Sequence, residues 1–257
     1  MLESIIEAAR QAGAIMLQAE SADKDVHSKL GSANYVTKYD VAVQEYLEDV
    51  LGRIMPEAGF LGEENGETVA NGAPWQWIVD PIDGTTNFIH QYHQSAVSIA
   101  LAHEGEAQIG VIYQPYTDEL FTAQRGKGAC LNGKPIHVSH RPLSEGLVGF
   151  GTTPYQREKA GQTFRLAHAI YLHAADVRRS GSAAVDLCSV AAGRMELNFE
   201  LILQPWDYAA ASVILTEAGG CISRIDGKPF DLYLPSSILA GNQEAYQEFF
   251  RLGLDRI

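Results

Sequence analysis

The chain has 257 residues, 46% of them hydrophobic, and a formal net charge of −13. A chain of this length buries about 70–75% of the surface of its unfolded form, enough for one large domain or two closely packed halves. The excess of negative charge argues against a nucleic-acid groove and against an anionic membrane surface as partner.

The amino-terminal segment has the pattern of an amphipathic helix. Apolar residues recur at helical spacing from Leu2 to Ala19, and Glu3, Glu7 and Arg10 interrupt them, so we predict a helix and not a signal peptide. No uninterrupted apolar run approaches the ~20 residues that cross a bilayer. The three cysteines are far apart and outside any metal-binding spacing, which favours reduced thiols. We therefore expect a cytoplasmic protein.

The first half of the chain then predicts one helix and an antiparallel sheet. The helix covers Val41 to Met55, and a short apolar strand covers Gln76 to Val79. Ser95 to Leu101 and Ala107 to Tyr113 predict two strands around a Glu-Gly-Glu turn, which is a hairpin signal. A strand over Leu120 to Ala123 and the glycine turns after it extend this sheet.

Beyond about Leu143 the pattern changes to alternating strands and helices. Strands are predicted over 147–150, 176–179 and 197–201, and helices over 164–173, 182–193, 207–217 and 244–254. We therefore divide the chain into an α+β half over 1–143 and an α/β half over 144–257. In the third of these strands, alternation places Glu196, Asn198 and Glu200 on one exposed face, as in a solvated edge strand.

The most informative segment joins the strand at Val79 to a glycine-threonine turn. Pro81 lacks the N–H that a further ladder bond needs, so the strand is expected to stop near Asp80. Asp83 is expected to cap a helix that starts at Gly84, where backbone N–H groups favour a phosphate. Asp80 and Asp83 suit Mg²⁺, which takes oxygen ligands and commonly uses one or two carboxylates. The alternative is that both only cap a turn.

Two further acidic positions could join this pair. Glu63 or Glu64 ends a predicted strand or turn, and Asp207 lies in the first turn of a helix, where a capping role alone would also explain it. Two carboxylates about 4 Å apart repel by about 4 kcal/mol at an effective dielectric constant near 20, so three such pairs would cost about 12 kcal/mol. That rivals the stability of a typical domain, about 5–15 kcal/mol. Converging carboxylates must therefore take up protons or bind cations, and we favour cations.

These motifs resemble those of the inositol monophosphatase family, within the Mg²⁺-dependent, lithium-sensitive phosphatases that include fructose 1,6-bisphosphatases. Residues 80–88 match the first family signature without a gap, and residues 206–210 with 217–220 match the second. The resemblance runs through nearly the whole chain. It implies an α+β fold, a layered αβαβα sandwich with the site at the junction of the two halves, and a homodimer.

The resemblance also implies the metal ligands and the catalytic residues. Glu63, Asp80 and the main-chain carbonyl of Ile82 would bind one Mg²⁺, and Asp80, Asp83 and Asp207 a second, with two or three Mg²⁺ per site. Thr85 and Glu63 would orient the attacking water, with Asp40 hydrogen-bonded to the Thr85 hydroxyl and Lys29 near the loop. Without the resemblance, a role as a solvated surface charge explains Lys29 equally well, and a role as a helix cap explains Asp40 equally well.

The implied reaction is hydrolysis of a phosphate monoester, most simply myo-inositol monophosphate to inositol and phosphate, by a water that the metal activates. The implied substrate contacts come from both halves of the chain: Asp83, Gly84, Thr85, Gly181, Ser182, Ala183, Glu200 and Asp207. Gly181 and Ser182 also read as a simple strand-to-helix turn. Leu203 and Gln204 stand where many relatives carry a glycine and a basic or histidine residue. Two alternatives therefore stay open: a sugar or nucleotide phosphatase of this fold, such as a fructose 1,6-bisphosphatase, or a regulatory binding protein.

Overall fold

The fold was analysed in a computed structural model, which describes residues 1–19, 25–28, 35–64 and 72–257. Seven α-helices are present in these ranges, and most have apolar residues at helical spacing on one face. They are α1 (Leu2–Gln18), α2 (Lys38–Ile54), α3 (Thr85–Ile89), α4 (Ala160–Tyr171), α5 (Ala183–Ala191), α6 (Pro205–Glu217) and α7 (Gln243–Arg251). No helix of the described part of the chain is long and apolar enough to span a membrane.

A seven-stranded sheet forms the centre of the first half. Its strands follow one another in chain order, and all neighbours are antiparallel except the first two, which are parallel. They are β3 (Gly59–Gly62), β4 (Trp75–Asp83), β5 (Ala96–His103), β6 (Glu106–Gln114), β7 (Glu119–Gln124), β8 (Ala129–Leu131) and β9 (Lys134–Ile136). A two-stranded ribbon of β1 (His27–Ser28) and β2 (Tyr35–Val36) precedes α2.

A five-stranded mixed sheet forms the centre of the second half. Its strands are β10 (Leu147–Phe150), β11 (Asp176–Arg178), β12 (Leu197–Leu203), β13 (Cys221–Ser223) and β14 (Ser236–Gly241). They lie in the order β11-β10-β12-β14-β13, so β12 is the central strand. β10 is parallel to both of its neighbours, whereas β14 is antiparallel to both of its own.

Three hydrophobic clusters show how the layers stack. One joins α1 and α2 to the outer face of the seven-stranded sheet, and a second joins the inner face of that sheet to α5, α6 and the five-stranded sheet. The third joins the other face of the five-stranded sheet to α4 and α7. The central helices are rich in alanine, and at Gly110 of β6 an added Cβ would lie 2.4 Å from the Ala210 carbonyl oxygen. The resulting αβαβα sandwich confirms the predicted fold.

The prediction that the first acidic strand stops near Asp80 is wrong. β4 continues through Pro81 to Asp83, because a bulge inserts one extra residue between the pairs Asp80–Ser98 and Asp83–Ala96. Proline is tolerated at a bulge, where no ladder hydrogen bond is required. Asp83 does not cap the helix after it either: Gly84 is the N-cap of α3 and has a φ of +89°, in the left-handed region.

Two other expectations are corrected. α2 begins at Lys38, three residues earlier than predicted, because Thr37 is its N-cap and forms a capping box with Asp40. The face of β12 that carries Glu196, Asn198 and Glu200 is buried and not solvated, with exposures of 0%, 2% and 8%. Alternation predicted the common face of these residues, but the sheet order makes their strand central. The two glutamates therefore need internal hydrogen-bond partners.

Candidate active site

A cleft lies where the carboxyl end of β4 meets the loops of the second half. The first half contributes Glu63, Asp80, Ile82, Asp83, Gly84, Thr85 and Thr86 to its lining. The second half contributes Gly151, Pro154, Tyr155, Arg179, Gly181, Ser182, Ala183, Asp186, Glu200, Leu203 and Asp207. The structure therefore brings nearly all the predicted site residues to one cavity. Asp40 lies just behind it, whereas Lys29 is outside the described residues.

Three aspartates form the acidic triad of this cleft: Asp80, Asp83 and Asp207. Each offers a carboxylate oxygen, and these oxygens all lie within 4.8 Å of one another. Asp80 and Asp83 lie at the two ends of the β4 bulge, and Asp207 is in the first turn of α6, where the Gln204 N–H donates to its Oδ2 at 2.7 Å. Asp80 Oδ1 accepts a hydrogen bond of 3.0 Å from the Ile82 N–H. The bulge and the capping box hold three carboxylates around one point.

Asp83 is held by the amino terminus of another helix. Its carboxylate accepts hydrogen bonds from the Ser182 hydroxyl, from the Ala184 N–H at 2.8 Å and from the Ala183 N–H at 3.3 Å. These donors begin α5, where the helix dipole favours a negative charge. Burial raises the pKa of Asp83 to about 6, and the three hydrogen bonds oppose that rise. The contact also fixes the second half of the molecule against the triad.

The electrostatics of the triad favour bound cations. Burial raises the pKa of Asp80 well above its usual range, and the charges of Glu63, Asp83 and Asp207 add to that rise. The pKa of Asp207 is also well above its usual range, first through burial and then through Asp83. Among the described residues that line the cleft there is no histidine or cysteine. This oxygen-only donor set fits Mg²⁺ and not zinc.

Glu63 and Ile82 lie beside the triad. Glu63 directly follows β3 as expected, and its N–H donates to the Val79 carbonyl oxygen at 3.3 Å. Its carboxylate is outside the group of mutually close oxygens, although its charge acts on Asp80. Ile82 lines the cleft, and its carbonyl oxygen accepts a hydrogen bond from the Thr85 hydroxyl at 3.2 Å. Both residues are therefore placed where an additional oxygen ligand could be supplied.

A buried chain of hydrogen bonds runs from Thr85 into α2. The Thr85 hydroxyl lies 3.3 Å from Asp40 Oδ1, in the hydrogen bond that the resemblance implied. Asp40 is fully buried, and its Oδ2 accepts hydrogen bonds from the Thr37 N–H at 2.7 Å and the Thr37 hydroxyl at 2.5 Å. The capping box of α2 therefore orients a carboxylate toward the Thr85 side chain. A hydroxyl paired with a carboxylate, as Thr85 is with Asp40, can accept a proton from a group in the cleft.

Close backbone approach joins the two loops that border the cleft. An added Cβ at Gly84 would lie 2.9 Å from the Gln94 carbonyl oxygen and 3.2 Å from that of Gly181. The Asn87 amide donates to the Gln94 carbonyl oxygen at 2.6 Å and to that of Ser180 at 3.0 Å. Gly84 is therefore required both by its positive φ and by lack of space. The loop that carries Gly84 and the loop that carries Gly181 therefore fix each other's position.

Glu200 lies on the opposite wall of the cleft. Its Oε1 accepts hydrogen bonds from the Thr153 N–H at 2.9 Å and the Thr153 hydroxyl at 3.3 Å. At Gly151 an added Cβ would lie 1.8 Å from Glu200 Oε2, so any side chain there would have to displace the Glu200 carboxylate. Burial raises the pKa of Glu200 to about 7. The strand is bulged between Glu200 and Leu203, the second bulge at this site.

Sequence reasoning missed four residues that line the cleft: Gly151, Pro154, Tyr155 and Asp186. Asp186 is 4% exposed, and burial raises its pKa to about 7. A usable signal existed for it, since it is the one charged residue in the apolar helix α5. Tyr155 lies in the irregular segment between β10 and α4, where no periodicity could have marked it. Arg179, on the same wall, donates to the Thr152 hydroxyl oxygen at 3.1 Å.

The layered α+β fold and the acidic cleft between its two sheets are those of a phosphatase. Comparisons with known proteins support this class. The inositol monophosphatase family model matches residues 1–252, and the chain belongs to this family. This confirms the resemblance found in the two signatures.

Relatives and solved structures agree with that assignment. The chain is 38% identical over 244 residues to the Nus factor SuhB of Escherichia coli K12, covering 94% of this chain and 91% of the relative. It is 39% identical over 249 residues to the inositol-1-monophosphatase of Caulobacter vibrioides, covering 95% and 97%. The extragenic suppressor protein suhB of Bartonella henselae superposes with a TM-score of 0.89 at 35% identity, over 99% of this chain and 96% of that one.

Two structures of a further relative, SaIMPase-II, contain ligands. One has inositol monophosphate bound and is similar with a TM-score of 0.81 and 29% identity, over 97% of this chain and 91% of that one. The other has 2′-AMP bound, with a TM-score of 0.83 and 30% identity, over 99% and 93%.

Proposed function

We propose that the chain hydrolyses phosphate monoesters of small polyols, with inositol monophosphate as the leading substrate and inositol and phosphate as products. The observation that carries this proposal is the acidic triad of buried Asp80, buried Asp83 and half-buried Asp207, which lines a cleft beside the loops of both halves. Inositol monophosphate in SaIMPase-II and the name of the Caulobacter relative support the same substrate class.

The residues that would hold Mg²⁺ are the triad, Glu63 and the carbonyl oxygen of Ile82, with two or three ions per site. When bound, Mg²⁺ supplies positive charge that lowers the pKa of the attacking water and stabilises the phosphoryl oxygens. Asp80 would help to hold both of the Mg²⁺ ions that the resemblance implies, because its carboxylate oxygen lies within 4.8 Å of those of Asp83 and Asp207 and the charge of Glu63 acts on it. The net charge of −13 makes cations necessary for the approach of an anionic substrate.

In the proposed reaction, the residues of the protein position the water and the substrate and transfer protons. The Thr85 hydroxyl donates to Asp40 or to the Ile82 carbonyl oxygen. Its oxygen is therefore left to accept a hydrogen bond from the attacking water. Thr85 and Glu63 orient that water, and buried Asp40 keeps the hydroxyl in place. The N–H groups of Gly84 and Thr85 face the phosphoryl oxygens as donors. Lys29, by resemblance, is assigned near this loop.

The alcohol half of the substrate is assigned to the wall formed by Gly181, Ser182, Ala183 and Glu200. Glu200 is a buried acceptor that lines the cleft, as the recognition of hydroxyl groups requires. Asp83, Gly84, Thr85 and Asp207 also line the cleft, and we assign the ester linkage to this side of it.

The test is phosphate release by the whole chain from inositol 1-phosphate, fructose 1,6-bisphosphate and 2′-AMP, each with and without Mg²⁺. Asp207→Asn removes one triad carboxylate, and Asp49→Asn removes an exposed one on α2 and serves as the charge control. We expect Mg²⁺-dependent release, greatest for inositol 1-phosphate, to fall at least about a hundredfold in Asp207→Asn and not in Asp49→Asn. Equal activity of the two variants would overturn the proposal.

The second candidate is a phosphatase of this fold with another substrate, and 2′-AMP bound to SaIMPase-II favours the nucleotide alternative. In the assay above, release led by 2′-AMP or by fructose 1,6-bisphosphate would establish it. A regulatory binding role is a third, suggested by relatives named Nus factor SuhB. Rescue of a strain that lacks the protein by the Asp80→Asn variant would favour binding over catalysis.

Lithium sensitivity and a homodimer are proposed from the resemblance to the family. A boundary between the halves at residues 143 and 144 is proposed from the change of sequence pattern there. A homodimer predicts a mass of twice 28.0 kDa in solution, measured by light scattering. A cytoplasmic location is proposed because all three cysteines are free.

A further inference from the structure

Tyr155 lines the cleft, and neither the signatures nor the proposed mechanism uses it. It lies in the segment 151–156 that connects β10 to α4, and its side chain is partly buried. Its hydroxyl makes no hydrogen bond with any residue in the described part of the chain. A tyrosine hydroxyl in a partly buried position normally has a partner, so this group is available to a ligand.

The segment that carries Tyr155 is fixed at the Glu200 end of the cleft. Thr153 donates two hydrogen bonds to Glu200, and Gly151 packs directly against the same carboxylate. Arg179 donates to the Thr152 hydroxyl oxygen and so fixes the segment to the loop before α5. Tyr155 is only two residues beyond Thr153. It therefore belongs to the wall that the proposed function assigns to the alcohol half.

The surroundings of the hydroxyl require it to be a donor. Burial raises the pKa of Tyr155 far above its usual range, and the charges of Asp207, Glu200, Glu63 and Asp83 raise it further. A tyrosine hydroxyl is protonated near neutral pH even without a shift, since its ordinary pKa is about 10. Carboxylates are acceptors only, so they can accept hydrogen bonds from substrate hydroxyls but cannot donate to them. The Tyr155 hydroxyl supplies the complementary donor among these acidic groups.

We propose that Tyr155 is a specificity-determining residue whose hydroxyl donates a hydrogen bond to a hydroxyl oxygen in the alcohol half of the substrate. This inference rests on the proposed function and extends it. A polyol hydroxyl would donate to a carboxylate of the cleft and accept from Tyr155 at the same time. A ligand whose alcohol half has no hydroxyl cannot make this contact.

Tyr155→Phe is the direct test, because it removes the hydroxyl and keeps the ring. The readout is kcat/KM for inositol 1-phosphate divided by kcat/KM for phenyl phosphate, whose alcohol half carries no further hydroxyl. We expect the ratio to fall roughly threefold to tenfold, the effect of losing one hydrogen bond between neutral groups, with a higher KM as the main cause. Tyr171→Phe is the matched control, since Tyr171 is 52% exposed on α4. We expect it to leave the ratio unchanged.

Each other outcome has a defined meaning. Equal losses for both substrates would place the hydrogen bond on the phosphoryl group or indicate a packing role, and would overturn the proposal. An unchanged ratio together with unchanged rates would overturn it as well. A wild-type chain that releases phosphate from neither compound would refute the proposed function, and this inference with it. That failure is measured on the wild type alone, so a failure of the proposed function can be distinguished from a failure of the Tyr155 inference.

Discussion

Replacing Asp80 by asparagine tests the crowding of charge in the acidic triad without any substrate. Asp80 is 1% exposed and shares the bulge of β4 with Asp83. The asparagine side chain would keep an oxygen for the hydrogen bond from the Ile82 N–H and would lose only the charge. If the carboxylates repel one another in the metal-free chain, this variant is more stable than the wild type, although a proposed ligand has been removed.

The expected gain follows from the distances. Two unit charges within 4.8 Å repel by at least about 3.5 kcal/mol at an effective dielectric constant near 20, so a fully ionised triad would cost about 10 kcal/mol. Proton uptake limits this cost, because keeping one carboxyl protonated at about pH 8 costs about 5 kcal/mol. Asp80→Asn removes two of the three repulsive pairs. We therefore expect the free energy of unfolding to rise by roughly 2–5 kcal/mol, with the cost of proton uptake as the upper limit.

The assay is thermal unfolding followed by circular dichroism at about pH 8, in EDTA and then in excess Mg²⁺. For a chain of this size, 1 kcal/mol shifts Tm by roughly 2–4 °C, so Asp80→Asn should melt at least about 4 °C above the wild type in EDTA. Mg²⁺ should raise the Tm of the wild type, by linkage of binding to folding, and should leave the variant nearly unchanged. The exposed Asp49→Asn serves as the control in both conditions.

A lower Tm for Asp80→Asn than for the wild type in EDTA would refute the repulsion argument, since relief of charge could then not be the main effect. A wild-type Tm that does not respond to Mg²⁺ would refute cation binding by the triad, whatever the activity of the chain.

Three further outcomes are expected. Burial raises the pKa of Asp83 to about 6 and raises those of Asp80 and Asp207 well above their usual range, so in EDTA the folded state binds more protons than the unfolded state. The free energy of unfolding should therefore fall as pH rises from about 4 through 6, and a Tm higher at about pH 8 than at about pH 5 would contradict this sign. Gly84→Ala should lower activity and stability, by about 1–3 kcal/mol in urea unfolding, because φ is +89° and the new Cβ would lie 2.9 Å from the Gln94 carbonyl oxygen. Glu196→Ala should cost about 1–3 kcal/mol in the same measurement, because the Leu147 N–H loses its acceptor, whereas the half-exposed Arg141 side chain can be solvated. A loss below about 0.5 kcal/mol would show that the network relaxes.

The site was predictable from the sequence where its chemistry is local. Asp80, Asp83 and Thr85 lie within six residues, and the strand-to-turn pattern predicted both a metal and a phosphate there. Asp207 was placed in the first turn of its helix by the Pro-Trp-Asp pattern and the glycines after Ala218, and the structure has it there. Local patterns were sufficient to predict the positions of these residues, because each of them is positioned by a single strand, turn or helix.

What periodicity could not predict is which elements meet. The hydrogen bonds from α5 to Asp83 join residues about a hundred positions apart, and the pattern of α5 shows only a capped helix. Turn signals around Pro81 indicated the end of a strand, whereas the pairing of β4 with β5 turned the same residues into a bulge. Tyr155 reaches the cleft only because its segment is bonded to Glu200.

By itself, the sequence determined most of the strands and helices and the acidic signatures, because alternation, helical spacing and motifs are properties of neighbouring residues. The resemblance of those signatures to the inositol monophosphatase family implied the layered fold and the type of ligand. The tertiary structure decided the burial of Glu200 and the convergence of the triad. An alternating strand looks the same at the edge and at the centre of a sheet. Only the strand order makes β12 central, and only the packing of the two halves brings Asp207 within 4.8 Å of Asp80 and Asp83.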